Sequence, residues 1–169
     1  MRPIPKRGPR AAPPNHYMNL RDRLLALLRE PAYSPANEHE LARRLDLNKK
    51  QRALAARWLA SAAALQQAID LSRRPPDRKS ASTPEQARTR VQSVYFRVQQ
   101  ADYFLETSGE PGAQPLADLA RRWFQKSLQL LDSDPAGSEN YADATARVVA
   151  ALESLAQANV LENRQKKQP

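Results

Sequence analysis

The chain has no cysteine, only 4 glycines among its 169 residues, and few aromatic side chains, which make up 6% of it. Without cysteine there is no disulfide, no thiolate metal site and no cysteine nucleophile. With so little glycine, and with no G-x-x-x-x-G-K-[ST], G-x-G-x-x-G or G-x-S-x-G motif, we expect neither a phosphate-cradling loop nor a nucleophile elbow. No apolar run reaches the roughly 20 residues of a membrane-spanning helix. These absences fit a cytoplasmic protein without a membrane segment.

Residues that could form a metal or catalytic site are also scarce. The two histidines are His16 and His39. The carboxylates of Glu38 and Glu40 flank His39 at i±1, so they point to different faces of a helix and cannot converge with it on one ion. We therefore expect no metal site, no cofactor and no enzymatic activity.

Positive charge is concentrated in the first half of the chain. The net charge is +9, and residues 1–90 carry 19 Lys and Arg against 8 Asp and Glu, whereas residues 91–169 carry 8 against 10. A polyanion would therefore bind the first half. Residues 1–15 hold five prolines, four cations and no acid, which predicts a disordered basic arm. The arm also lacks the apolar stretch of a secretory signal.

Helical periodicity predicts an all-α fold with two helical units. Residues 16–71 are expected to form a helix-turn-helix domain of three helices, and residues 72–83, rich in proline and charge, to form a linker. Residues 84–158 are expected to form an antiparallel three-helix bundle, and residues 159–169 a frayed polar tail. No stretch shows the alternation of a β-strand.

Residues 36–59 carry the strongest functional signal. They predict a short amphipathic helix capped by Asn37, a three-residue turn, and a longer basic helix capped by Asn48, which is the layout of a helix-turn-helix. On the longer helix, Leu54 and Trp58 belong to the predicted core stripe, whereas Arg52 lies on the opposite face.

The residues predicted to bind nucleic acid are all cations: Lys49, Lys50, Arg52 and Arg57 on the longer helix, Arg43 and Arg44 on the shorter one, and Lys6, Arg7 and Arg10 in the arm. Cations at these positions could contact phosphates or base edges. The alternative is a solvated basic face on an ordinary helical hairpin.

The stretch from Leu20 to Leu59 resembles the N-terminal helix-turn-helix domain of bacterial ribonuclease R exoribonucleases. The shared features are LLALLRE, the Pro-Ala-Tyr-Ser-Pro loop at 31–35, and the ELARRLDLNKKQR core at 40–52. The resemblance implies a winged-helix-like module that engages structured RNA. The chain departs from that family after the third helix, where residues 62–69 contain no glycine and no strand pair, so the expected domain is degenerate and lacks a wing. The nuclease domain of the family is missing.

The second unit begins with a strong helix start, in which Thr83 is the cap, Pro84 the first helical residue and Gln86 the third. This unit contains adjacent aromatic pairs at 95–96, 103–104 and 123–124, and both members of a pair cannot face one core. The less buried rings have two interpretations. Either the helices bury a wide apolar face and leave single rings exposed at its edge, or the exposed rings form a surface for a homodimer or a protein partner.

The sequence therefore predicts a non-enzymatic protein that binds nucleic acid, DNA or structured RNA, through the basic arm and the helix-turn-helix. The helical bundle would dimerise or bind a partner. The alternative is a structural or adaptor protein whose basic half docks an acidic protein surface.

Overall fold

The computed structural model describes residues 19–34, 36–75 and 82–167, which form six α-helices. The helices are α1 (Leu20–Leu28), α2 (Glu38–Arg44), α3 (Lys49–Arg73), α4 (Pro84–Ser108), α5 (Ala113–Leu130) and α6 (Pro135–Lys166). No strand occurs in these ranges, so the predicted all-α fold is confirmed. The basic arm, with Lys6, Arg7 and Arg10, and residues 76–81 of the predicted linker lie outside the described residues.

Side-chain caps define where α3 and α4 begin. The Asn48 side chain accepts from the Gln51 N–H at 2.9 Å, and the Gln51 side chain accepts from the Asn48 N–H at 3.1 Å. Thr83 and Gln86 form the same reciprocal pair at the start of α4, at 3.2 and 2.9 Å. Each pair satisfies two backbone donors that have no partner within the helix.

The chain divides into two compact units, residues 1–46 and 47–169. The expected division lay at 72–83, with α3 grouped with α1 and α2, but α3 instead packs along α6. The division falls inside the turn of the predicted helix-turn-helix, so α2 and α3 belong to different units. The helix-turn-helix and its winged-helix-like detail therefore stay predictions.

The first unit contains α1, α2 and the loop between them. Its buried apolar side chains are Leu24, Leu41, Ala42 and Leu45. The Arg23 guanidinium on α1 donates to the Leu45 carbonyl at the end of α2. The backbone of Asp46 is left-handed, with φ of 50°, which a short polar side chain tolerates better than most. This residue ends α2 at the position where many helices use glycine.

In the second unit, the 32-residue helix α6 packs against α3, α4 and α5. Because three helices surround it, α6 is buried on several faces, and most of its buried residues are small. The buried residues are Gly137, Ser138, Ala142, Ala144, Thr145, Val148, Val149, Ala151, Leu152, Ala156 and Ala158. Small side chains let helix backbones approach closely. The Ser61 hydroxyl on α3 accordingly reaches the Ala151 carbonyl on α6 at 2.9 Å.

The directions of the helices follow from contacts at their ends. α3 is antiparallel to α6, because Gln165 reaches the Lys50 carbonyl at 3.0 Å and Asn140 reaches the Arg74 carbonyl at 3.0 Å. α4 is parallel to α6, because Asn159 reaches the Thr107 carbonyl at 2.8 Å near the later ends of both helices. The predicted three-helix bundle is thus part of a four-helix unit.

α6 is longer than the sequence analysis predicts. The helix continues through the predicted polar tail to Lys166 instead of ending near residue 158. Glu162 and Lys166 form an ion pair at 3.0 Å one turn apart, with the acid on the N-terminal side, which is the favourable order. The tertiary hydrogen bonds of Asn159 and Gln165 hold the last turns in place.

Candidate nucleic-acid interface

The first 21 residues of α3, from 49 to 69, carry four cations and no carboxylate. Lys49, Arg52 and Arg57 are exposed, as is Ala53, which projects little from the helix. The Arg52 Nε donates to the Leu47 carbonyl at 2.9 Å, and this bond uses only one of the five N–H donors of the guanidinium. The start of α3 therefore presents exposed cations beside a small exposed side chain.

The first turn of α3 also departs from the usual placement of charge. A helix N-terminus carries partial positive charge, so acidic side chains stabilise it and cations cost roughly 0.3–1 kcal/mol each when exposed. The first turn of α3 has Lys49 and Lys50 and no acid. Positions where a sequence breaks a local rule are expected at functional sites. A bound anion would offset this cost.

The C-terminal turn of α6 lies beside the start of α3, because the Gln165 amide donates to the Lys50 carbonyl. This contact brings Arg164 and Lys167, both exposed, to the basic end of α3. Lys166 pairs with Glu162 and adds little net charge. Arg164 and Lys167 were not among the predicted contacts, because the helix was expected to end near residue 158. The Glu162–Lys166 spacing was the signal for a longer helix.

The cations of α2 differ in their availability. Arg44 donates to the Glu40 carboxylate at 2.7 Å and to the Ser34 hydroxyl at 3.3 Å. This hydrogen bond and the charge of Arg44 lower the pKa of Glu40. The Glu40 N–H donates to the predicted cap residue Asn37 at 2.9 Å, while the Glu40 carboxylate is turned to Arg44. The Arg43 side chain is 81% exposed and lies 3.8 Å from Glu40, so it is the more available of the two arginines.

Arg57 lies on a separate feature, a depression of about 340 Å³ between α3 and α4 over α6. Its lining includes Tyr103 on α4 and both Glu153 and Arg164 on α6. Arg57 and Arg164 thus belong at once to the basic end of the unit and to this depression.

A second depression of about 500 Å³ lies between the same three helices and is lined by three arginines, Arg90, Arg97 and Arg147. One carboxylate lines it, that of Asp143, which accepts from the Arg90 Nε at 2.5 Å. This hydrogen bond and the charge of Asp143 raise the pKa of Arg90. The positive charges of Arg97 and Arg147 are therefore not balanced by a carboxylate in the lining of this depression. These arginines were not among the predicted contacts, because the net charge after residue 90 is slightly negative.

The three adjacent aromatic pairs differ in how much of each ring is exposed to solvent. Phe124 is buried beside the half-buried Trp123, as expected for a pair of which one ring faces the core. Tyr95 and Phe96 are both exposed, and the Phe96 side chain is 65% exposed. Tyr103 is 64% exposed beside the half-buried Phe104. α4 therefore carries three exposed rings.

Among residues 19–34, 36–75 and 82–167, no helix is long and apolar enough to span a bilayer. In the same ranges, no three His, Asp or Glu side chains come close enough to share a metal ion. No family model matches the chain, and no curated protein and no solved structure matches it either. The similarity to the N-terminal domain of ribonuclease R therefore stays a prediction from the residues that carry it.

Proposed function

We propose that the protein binds nucleic acid, DNA or structured RNA, without catalysing a reaction, and that the start of α3 makes the main contacts. The observation that carries the proposal is the acid-free stretch 49–69, whose exposed Lys49 and Arg52 are joined by Arg164 and Lys167 at the end of α6. Contacts between cations and phosphates supply most of the affinity of such proteins for nucleic acid.

The small side chains near the start of α3 suit a close approach to a nucleic-acid groove. Ala53 is exposed and Ala56 is half-buried, so neither keeps the backbone away from a ligand. Lys49 and Arg52 lie near these alanines and can position the helix by contacting phosphates. If their side chains extend into the groove, they can also contact base edges. In the proposal, Lys50, Arg57 and the α2 cations Arg43 and Arg44 add further contacts, and so do Lys6, Arg7 and Arg10. We also propose a cytoplasmic location.

The test is a salt series of binding by the full chain to duplex DNA and to structured RNA. Lys49→Ala combined with Arg52→Ala should weaken binding and reduce the log–log salt slope on duplex DNA by about 0.9 for each lost phosphate contact. The matched control is Arg122→Ala with Lys126→Ala, which removes two exposed cations of α5. Equal slopes in the two double variants would remove the start of α3 from the mechanism.

For the bundle, we propose association with a second copy or with a protein partner through α4. Phe96 and Tyr95 are exposed, and Leu128 on α5 is 46% exposed. Exposed aromatic side chains at this density are typical of interaction surfaces. Light scattering over a concentration series should show a concentration-dependent mass that Phe96→Ser reduces to that of a monomer. A monomeric wild-type protein at all concentrations would leave only a different partner for this surface.

The alternative function is that of an adaptor whose cations dock an acidic protein. The same salt series separates the two, because a nucleic-acid-binding protein should bind duplex DNA or structured RNA with a steep salt slope, whereas a chain that binds neither probe would favour the adaptor.

A further inference from the structure

The two depressions lie one after the other along α6, and together they are called the groove. The α6 residues that line them are Asp143, Ala146, Arg147 and Ala150 in the larger one, and Glu153, Ala156, Gln157, Val160, Leu161 and Arg164 in the smaller one. Successive members of this set are separated by steps of one or three residues, so they follow one side of the helix. The floor of the groove is therefore one continuous face of α6.

The walls of the groove are α4 on one side and α3 on the other. On α4, Arg90, Arg97 and Phe104 recur at intervals of seven, which places them on one face. On α3, Leu71 lines the larger depression and Arg57 the smaller one. At a rise of 1.5 Å per residue, the floor from Arg147 to Arg164 is about 25 Å long.

The groove carries net positive charge along its length. Five arginines line it, against the two carboxylates of Asp143 and Glu153. Asp143 is engaged by Arg90, whereas Arg97 and Arg147 make no ion pair with any residue that the structure describes. Glu153 accepts from Gln157 at 3.3 Å. A polyanion would meet unpaired cations at both ends of the groove.

An exposed aromatic ring lies in the same depression as Arg57 and Arg164. Tyr103 lines the smaller depression, and its ring meets the ring of Phe104 edge-on, with 5.7 Å between the centroids. Phe104 packs against the core and contacts the Tyr103 ring on one side. The Tyr103 residue is otherwise exposed to solvent. Such a ring offers a surface on which a base can stack.

A positively charged groove with an exposed aromatic ring is the arrangement by which proteins bind single-stranded nucleic acid without reading its sequence. The depressions, at about 340 and 500 Å³, are of a size that holds small molecules. They can therefore admit individual nucleotides of a single strand, whereas a duplex is too wide to enter them.

We propose that this groove binds a single strand of nucleic acid, with phosphates on Arg97 and Arg147 and a base stacked on Tyr103. The inference rests on the proposed function and narrows its ligand. The start of α3, at one end of the groove, contacts either form of nucleic acid, and the groove selects the single strand.

The experiment compares the binding of the full chain to a twelve-nucleotide oligothymidylate and to a duplex of twelve base pairs by fluorescence anisotropy over a salt series. The groove variants are Arg97→Ala with Arg147→Ala, and Tyr103→Ala. The controls are Tyr103→Phe, which keeps the ring, and the double variant of Arg122 and Lys126 on α5. Circular dichroism and the urea midpoint of each variant verify that it folds.

We expect the double arginine variant to lower the salt slope on the oligothymidylate by about 1.4, which corresponds to two lost contacts with a single strand. Tyr103→Ala should weaken binding to the single strand roughly fivefold or more, as expected for one lost stacked base, while Tyr103→Phe stays within about twofold of wild type. Binding to the duplex should not change in any groove variant.

Single-strand binding that is unchanged in both groove variants would overturn this inference. So would equal losses on the strand and the duplex. If Lys49→Ala with Arg52→Ala still weakened duplex binding in that case, the proposed function would stand without the groove. A wild-type protein that bound neither probe would overturn both.

Discussion

The side-chain amide of Gln165, in the last turn of α6, donates a 3.0 Å hydrogen bond to the backbone carbonyl of Lys50, in the first turn of α3. The contact joins the end of one antiparallel helix to the start of the other, so the negative end of one helix dipole lies beside the positive end of the next. It also gathers cations that are more than 100 residues apart in sequence into one surface.

The first prediction concerns the α6 side of this basic end. Arg164→Ala with Lys167→Ala should reduce the salt slope of binding to duplex DNA by up to about 0.9 per lost contact, as in the variant of Lys49 and Arg52, because both pairs of cations face the same ligand. The salt series measures this directly. A wild-type slope in this variant would mean that the ligand does not reach α6. Removing cations from the helix end should itself cost no more than about 1 kcal/mol of stability each.

The second prediction concerns the division of the chain after residue 46. A fragment of residues 47–167 should unfold cooperatively in urea, whereas residues 82–167 alone should be less stable by about 3 kcal/mol or more. The shorter fragment lacks α3, whose Leu65 and Ala68 pack against a core that includes Val148 and Val149. It should also show a smaller m-value, since less surface is buried. Equal urea midpoints for the two fragments would restore the division at 72–83 that the sequence predicts.

The starts of the helices could be predicted because a cap is a local interaction. Asn48 and Thr83 each bond to a backbone N–H three residues later, and both residue types and spacings are visible in the sequence. The composition of the basic end was visible for the same reason, since Lys49 and Arg52 lie within one turn of the helix.

The partner of α3 could not be predicted from its apolar pattern. Periodicity shows which face of a helix is buried but does not say against which helix. The predicted stripe included Trp58, which is only half-buried, whereas the buried Ser61 makes a hydrogen bond to α6. A small polar residue gives almost no signal of burial in a sequence. Arg97 on α4 and Arg147 on α6 escaped prediction for a related reason, because these two helices are distant in sequence and only the fold brings the two side chains to one depression.

The third prediction concerns the turn between α4 and α5. Gly109 has φ of 62°, and a Cβ added there would lie 2.9 Å from Asn159 Nδ2, whose amide bonds to the Thr107 carbonyl. Gly109→Ala should therefore destabilise the protein by at least about 1–2 kcal/mol in urea unfolding. Gly112→Ala is the matched control, because nothing lies within 4 Å of its added Cβ and its φ is −77°. Its effect should stay within about 0.5 kcal/mol. Equal effects of the two substitutions would contradict the left-handed turn.

The last prediction concerns pH and the ion pair of α2. The hydrogen bond from Arg44 and its charge hold the pKa of Glu40 below its ordinary value of 4.5. A carboxyl whose pKa is lower in the folded than in the unfolded chain stabilises the fold above the unfolded value, and this stabilisation is lost as pH falls through the folded value. The pair should therefore support α2 at neutral pH and cease to do so in acid below 4.5. An NMR titration of the Glu40 carboxyl carbon should give a midpoint below 4.5 that Arg44→Gln raises, while Arg43→Gln, which removes a guanidinium 3.8 Å away instead of 2.7 Å, raises it less. A midpoint that responds equally to both substitutions would show that the bond between Arg44 and Glu40 does not form in solution.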